Sequence, residues 1–342
     1  MRAVLVVKFK PLAQILANQT HCQMHLDTNT DTASIGDQAS YESEGKRPRL
    51  EVEGVTKLFP GVRALDHVDM VALPNEILSI VGENGAGKST LFDVIMGIQR
   101  PNEGEVRLDG RKISPHGTYD SMHLGIFRVF QEQGLIGEFA VYENLCLGME
   151  EKFVKYGVLQ KARMIRHANE ALQELGLELD VRQLTRRLSF GVRQLIEVCR
   201  VAAMSRLLRI ENPIVLMDEP TAAMSGSELE LFFDLIQRLK KIYHAAVVFV
   251  SHRLEEILSL SDRIYVMKDG QIVSEVKPTI DEGELHNLMV GRVKATDFYG
   301  ESLQRVNLGS TLLEVENLSS DDFQNISLTV KKIGRASCRE RV

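Results

Sequence analysis

Two periods take turns along this chain. Ile77-Leu78-Ser79-Ile80-Val81 is an apolar run of the length of a buried strand, and Leu91-Phe92-Asp93-Val94-Ile95-Met96 after it reads as helix. Ile214–Met217 and Ala246–Val250 are two further apolar runs, predicted as strands buried on both faces. Between them Ser225 and Glu228 have capping-box spacing, and Leu229, Phe232, Phe233, Ile236 and Leu239 then fall on one helical face. Val106–Ile113 and Ile264–Val273 are each broken by Asp-Gly (Asp109-Gly110 and Asp269-Gly270), which predicts two hairpins. Val55–Arg63 and Val68–Val71 read as strand segments, with Pro60-Gly61 as the turn. From about residue 145 to 210 apolar and charged positions alternate at helical spacing, predicting a mostly helical insertion. The fold class expected is α/β, with a parallel core sheet, an antiparallel β portion and an inserted helical subdomain.

The pattern is weakest at the two ends. Residues 1–48 fit poorly with the rest of the chain, and Thr28–Glu44, rich in Thr, Asp, Ser and Gly, reads as disordered. A folded unit is expected from about residue 49 to 293, with residues 294–310 as a polar linker. Thr311-Leu-Leu-Glu-Val-Glu-Asn-Leu318 then repeats the pattern of Leu50-Glu-Val-Glu-Gly-Val55, and Ile326–Val330 repeats Val68–Ala72, at a spacing of about 261 residues. Residues 311–332 are therefore expected to open a second copy of the same unit. Ile333–Val342 breaks the apolar pattern at once and looks like the translation of a sequencing-library adapter. A wrong start or frame is a further expectation, for residues 1–48.

Composition narrows the class. At 342 residues, 44% hydrophobic and 26% charged, the chain has the make-up of a globular protein with ample core. Lys+Arg of 41 against Asp+Glu of 47 argues against a nucleic-acid-coating protein. The four cysteines form no metal-ligand or disulfide pattern, so a reducing compartment is expected. No apolar run approaches the roughly 18 residues of a membrane helix, and the apolar start is too short for a secretory signal. Any membrane role is thus expected through partners, without direct insertion.

The chemistry gathers at strand ends. Gly82-Glu83-Asn84-Gly85-Ala86-Gly87-Lys88-Ser89-Thr90 is a complete phosphate-binding loop, set between a predicted strand and a predicted helix as its function requires. Its glycines let backbone N–H groups turn inward around a phosphate chain, and the helix adds its positive end. Lys88 would reach the β and γ phosphates and the Ser89 hydroxyl would ligate Mg²⁺. By chance alone the motif arises in on the order of one per cent of chains this long. Ile214–Met217 delivers Asp218 and Glu219 at its end, the first to hold the Mg²⁺ shell and the second to polarise an attacking water. The strand Val247–Val250 ends in Ser251-His252, where His252 can contact a γ phosphate. Cys146 and Cys199 read as core packing. Arg182, Arg186 and Arg187 read as a solvated face, and Arg193 and Arg200 receive no catalytic role.

With these residues in place the chain resembles the ATP-binding subunit of an ABC transporter. More narrowly it is similar to the bacterial carbohydrate-import type, which has two nucleotide-binding domains in one polypeptide. The match runs from about residue 50 to 293 and implies a P-loop ATPase with a helical subdomain near residues 132–210. The resemblance implies that Phe59 stacks on adenine, that Gln131 senses Mg²⁺ and the transmembrane partner, and that Leu188-Ser189-Phe190-Gly191 is the signature. Ser189 and Gly191 would then contact the ATP of an opposite domain. Phe190 and Val192 depart from the usual Leu-Ser-Gly-Gly-Gln, and Ala223-Met224-Ser225 departs from the usual Ala-Leu-Asp, losing a carboxylate at the domain interface. The implied cofactors are ATP and Mg²⁺. The implied partners are a membrane permease and, through it, a periplasmic or surface solute-binding protein, with no nucleic acid. The implied location is peripheral, on the cytoplasmic face of the inner membrane. A nucleoside or autoinducer importer is the near alternative. A soluble ABC ATPase acting on ribosomes or in DNA repair is the distant one, disfavoured by the short linker and acidic balance.

Overall fold

The computed structural model describes residues 47–130, 134–222, 224–290, 311–318 and 326–331. Strands β1 (Leu50–Phe59) and β2 (Val62–Ala72) pair antiparallel across Pro60-Gly61, the turn the sequence predicts. The strand limits differ from those predicted: Val62 and Arg63 belong to the second strand, and the first starts at Leu50. The ladder slips between Val52 and Val55, between Val55 and Lys57, and between Lys57 and Leu58. Such bulges erase the two-residue period on which a sequence reading depends.

β3 (Glu76–Val81) leads into α1 (Lys88–Ile95). β4 (Glu103–Leu108) and β5 (Arg111–Ile113) form the first Asp-Gly hairpin, with Asp109 at φ 50°. α2 (Thr118–His123) and β6 (Ile126–Val129) come next in the chain. The inserted region holds α3 (Val141–Leu145), β7 (Val154–Lys155), β8 (Val158–Leu159), α4 (Lys161–Glu174) and α5 (Phe190–Leu208). The β7–β8 hairpin interrupts a stretch that the sequence pattern predicts as helical. Its strands are too short to show a period, and its tip, Tyr156, is 92% exposed.

The chain returns to the core through β9 (Ile214–Asp218), α6 (Gly226–Tyr243), β10 (Ala246–Val250), α7 (Leu254–Leu260), the hairpin β11 (Arg263–Lys268) and β12 (Gln271–Val276), and α8 (Glu282–Val290). Asp269, at φ 49°, turns that second hairpin as predicted. On α6 the buried apolar face is Phe232, Leu235, Ile236 and Leu239, whereas Leu229 and Phe233 are only half-buried.

Two sheets result. One has the order β12-β11-β3-β10-β9-β6, parallel except for its β12 edge; the other, β2-β1-β4-β5, is antiparallel. The parallel sheet is buried on both faces, which explains why its strands are unbroken apolar runs. Ile77, Val81, Val215, Met217, Val247 and Phe249 point into a core shared with the helices of the inserted region and α6. The alternate residues Leu78, Ile80, Ile214, Leu216, Ala246, Val248 and Val250 point into a second core, with α1 and the antiparallel sheet. The fold class expected from the sequence is the one observed.

Residues 311–318 and 326–331 belong to a separate unit. Its β13 (Thr311–Leu318) and β14 (Ile326–Lys331) pair antiparallel. β1 and β2 are likewise an antiparallel pair. The predicted disordered segment, the linker 294–310 and residues 333–342 lie outside the described residues, as do Gln131 and Ala223.

Candidate nucleotide site

The order of the parallel sheet puts the ends of β3, β10 and β9 side by side. The phosphate-loop residues, Asp218-Glu219 and Ser251-His252 leave from these three ends, so chain segments far apart in sequence meet at one edge. After β3 the loop residues Glu83, Asn84 and Gly85 are exposed, while Ala86 and Gly87 turn inward and α1 starts at Lys88. Gly87 has φ 107°, and a Cβ there would stand 2.5 Å from the Ala64 carbonyl oxygen. Only glycine suits both constraints. The Gly270 N–H donates to the Ala86 carbonyl at 3.0 Å, so the β11–β12 turn braces the loop from behind.

Lys88 is buried, and its Nζ donates to the Gly82 and Glu83 carbonyls at 2.7 and 2.9 Å. Burial lowers its pKa, against the opposing pull of Glu219 and Asp218. Both acids therefore act on the loop cation electrostatically. The Ser89 hydroxyl, one residue on, is exposed and Thr90 half-buried.

Glu219 comes after β9 with φ 49°, a conformation rare for a residue with a side chain, and its N–H donates to Val250 O at 2.9 Å. His252 Nε2 lies 2.5 Å from Glu219 Oε1. The two residues, separate in the sequence, thus form one close polar pair. Glu256 of α7 ties together side chains that lie beside the two residues in the chain, Thr221 and Ser251. Its buried carboxylate accepts from the Thr221 hydroxyl at 2.7 Å and the Ser251 hydroxyl at 2.8 Å, and pairs with Arg253 at 3.0 Å. Asp218 Oδ2 accepts from Arg128 at 2.8 Å.

Ser189 caps α5, its hydroxyl oxygen accepting from Val192 N–H at 3.3 Å. The same hydroxyl donates to Glu228 at 2.7 Å, and Glu228 also accepts from the Ser225 N–H and hydroxyl at 3.1 and 2.9 Å. A Cβ on Gly191 would come within 2.3 Å of the Glu228 carboxyl carbon. The predicted signature is therefore pinned to the start of α6 by the acid of the capping box. Phe59 ends β1 and is 39% exposed, with Lys57 Nζ 5.1 Å from its ring centroid.

Residues 65–222 match the family described as ABC transporter. The ribose import ATP-binding protein RbsA 1 of Rubrobacter xylanophilus is 38% identical over 286 residues, covering 83% of this chain and 55% of that protein. The galactofuranose transporter ATP-binding protein YtfR of Escherichia coli K12 is 37% identical over 265 residues, 77% of this chain and 50% of that one. A nucleotide-free ATP-binding cassette from an ABC transporter superposes with TM-score 0.61 at 27% identity, over 74% of this chain and 98% of its own. The ATP-binding domain of this chain belongs to the ABC transporter family. The chain spans about half the length of the curated relatives it matches.

Within this ABC domain the sequence points to the phosphate loop, Asp218, Glu219, His252, Ser189, Gly191 and Phe59. The structure brings the phosphate loop, the two acids and His252 to one sheet edge. Glu256 and Arg128 escape the sequence reading. Arg128 leaves one signal, a charge inside the otherwise apolar strand β6; Glu256 leaves none, because its tie to Thr221 spans 35 residues and exists only in the folded chain. Cys146 and Cys199 are fully buried, and burial pushes the Cys146 thiol up to about 12 and raises that of Cys199, in keeping with core packing. Arg182, Arg186 and Arg187 are exposed. Among the described residues no helix is long and apolar enough to cross a membrane.

Proposed function

We propose that the chain binds MgATP at Gly82–Thr90, hydrolyses it, and energises import of a sugar or related polar solute through a separate membrane permease. The observation that carries this reading is the Glu219–His252 pair at the same sheet edge as the phosphate loop. Backbone N–H groups of the loop and the Lys88 ammonium would take the phosphates. Lys88 would exchange its two carbonyl acceptors for phosphate oxygens. Water attacks the γ phosphorus, the bond to the β–γ bridging oxygen breaks, and ADP and phosphate leave. Glu219 polarises the water and takes up its proton, and His252 fixes the orientation of the Glu219 carboxylate.

The donor set suits Mg²⁺, a hard cation that prefers oxygen: an exposed Ser89 hydroxyl and the Asp218 carboxylate, with Gln131 as a third ligand. When bound, the ion neutralises charge on the β and γ phosphates. Phe59 would stack on adenine, and Ser189 with Gly191 would meet the ATP of an opposing domain. The ribose and galactofuranose import proteins named above support a sugar as cargo, a permease and solute-binding protein as partners, and a peripheral place at the cytoplasmic membrane face. The domain limits proposed are 49–293, with the start of a second copy at 311.

Lys88→Ala tests the site, because it removes the side-chain cation aimed at the phosphates. MgATP binding, read by calorimetry, should be lost; retained affinity would move the nucleotide elsewhere. The transport role is tested in proteoliposomes holding the permease. Turnover should rise when a sugar-loaded binding protein is added, and a rate indifferent to both partners would contradict it.

A further inference from the structure

Arg128 stands on β6 with a side chain that is almost wholly buried. Its two terminal nitrogens reach two carboxylates, Asp93 Oδ1 of α1 at 2.5 Å and Asp218 Oδ2 at the end of β9 at 2.8 Å. The guanidinium is also held between two rings, its central carbon 5.6 Å from the Phe92 centroid and 4.9 Å from that of Phe130. Its Nε is buried with no hydrogen-bond partner among the described residues. One cation is therefore shared by two acids, and four contacts fix where it sits. A guanidinium is always charged, so it cannot leave the acid by losing a proton.

Asp218 is the carboxylate assigned to the Mg²⁺ shell under the proposed function, and the inference rests on that reading. We propose that Arg128 is the built-in counter-cation of the metal site. It holds and neutralises Asp218 while no divalent ion is there, and it shares that carboxylate with Mg²⁺ when the nucleotide arrives. A positive charge on one oxygen of Asp218 weakens the pull of the other oxygen on a divalent ion. Arg128 thus sets how strongly the metal contributes to nucleotide affinity. It does not touch the reacting atoms and is a positioning residue.

The readout is the ratio of two dissociation constants for a non-hydrolysable ATP analogue on the 342-residue chain, one in EDTA and one in excess Mg²⁺. Arg128→Met removes the charge at similar length and should raise the ratio about tenfold, since Asp218 then serves the metal alone. Its thermal midpoint in EDTA should fall, and Mg²⁺ with the analogue should restore most of the loss. Arg128→Lys keeps the charge and should leave the ratio within about twofold. Asp93→Asn perturbs the surface less; it gives Arg128 wholly to Asp218 and should lower the ratio about threefold. A ratio that does not rise in Arg128→Met, or does not fall in Asp93→Asn, overturns the proposal, and a lower midpoint alone would show a merely structural ion pair. Asp218→Asn separates this from the underlying reading. If Asp218→Asn leaves the ratio unchanged, Asp218 holds no metal and both statements fall. If it collapses the ratio while Arg128→Met does not raise it, only the counter-cation fails.

Discussion

Phe59 closes β1 with a ring that no core claims, beside the loop that leads to β2. If that ring is the adenine platform, Phe59→Ala should weaken MgATP by about 1–2 kcal/mol, the scale of one lost base–aromatic stack, and Phe59→Tyr should be close to neutral. Equilibrium titration checks this; an unchanged affinity in Phe59→Ala would leave Phe59 as packing. Glu197 on α5 makes a different prediction. Its carboxylate accepts the Gly134 N–H at 2.7 Å, yet burial outweighs that bond and raises its pKa from 4.5 to about 7, with Arg200 and the Phe130 backbone opposing the shift. A raised carboxyl pKa means the folded protein holds that proton more tightly than the unfolded chain. The stability linked to it is full below 4.5 and is lost as pH rises through about 7. Glu197→Gln, always neutral, should gain on the parent by up to on the order of 3 kcal/mol between about pH 5 and about pH 8. Urea unfolding of both proteins at the two pH values measures the gain, and a constant difference would refute the assignment.

At the scale of the element, the phosphate loop is held from outside itself. Gly87 packs against Ala64 of β2, and Ala86 is bonded to Gly270 of the β11–β12 turn. Gly87→Ala adds a Cβ at φ 107° and 2.5 Å from a backbone oxygen, so it should cost more than about 2 kcal/mol of stability and abolish MgATP binding. Thermal unfolding and titration on the same preparation decide it; near-parental values for both would show that β2 gives way. The same elements show what a sequence makes legible. β3, β9 and β10 stand out because both of their faces are buried, and the two Asp-Gly hairpins because Asp109 and Asp269 adopt the positive φ their turns need. The ends of β1 are illegible because bulges interrupt its period, and the β7–β8 hairpin is invisible because it has none. The loop and acid residues are legible as contiguous motifs. The ties made by Arg128, Glu228 and Glu256 are not, because each joins side chains from different elements through a geometry only the folded chain has.

For the molecule as a whole, the sheet order unites chemistry from three separate chain segments. β10, with no nucleotide motif of its own, carries the phosphate-loop strand on one side and the acidic strand on the other. Its end supplies His252, which turns Glu219 from a lone carboxylate into half of a pair. The hairpin β13–β14 pairs antiparallel, as β1 and β2 do. The central claim is that Glu219 carries out hydrolysis of a nucleotide held by other residues. Measuring MgATP affinity and steady-state turnover of Glu219→Gln beside the parent tests it most directly. Affinity should stay within about twofold, while turnover falls by about 10²–10⁴, the range of a lost general base. Parental turnover in Glu219→Gln, with binding intact, would contradict the account.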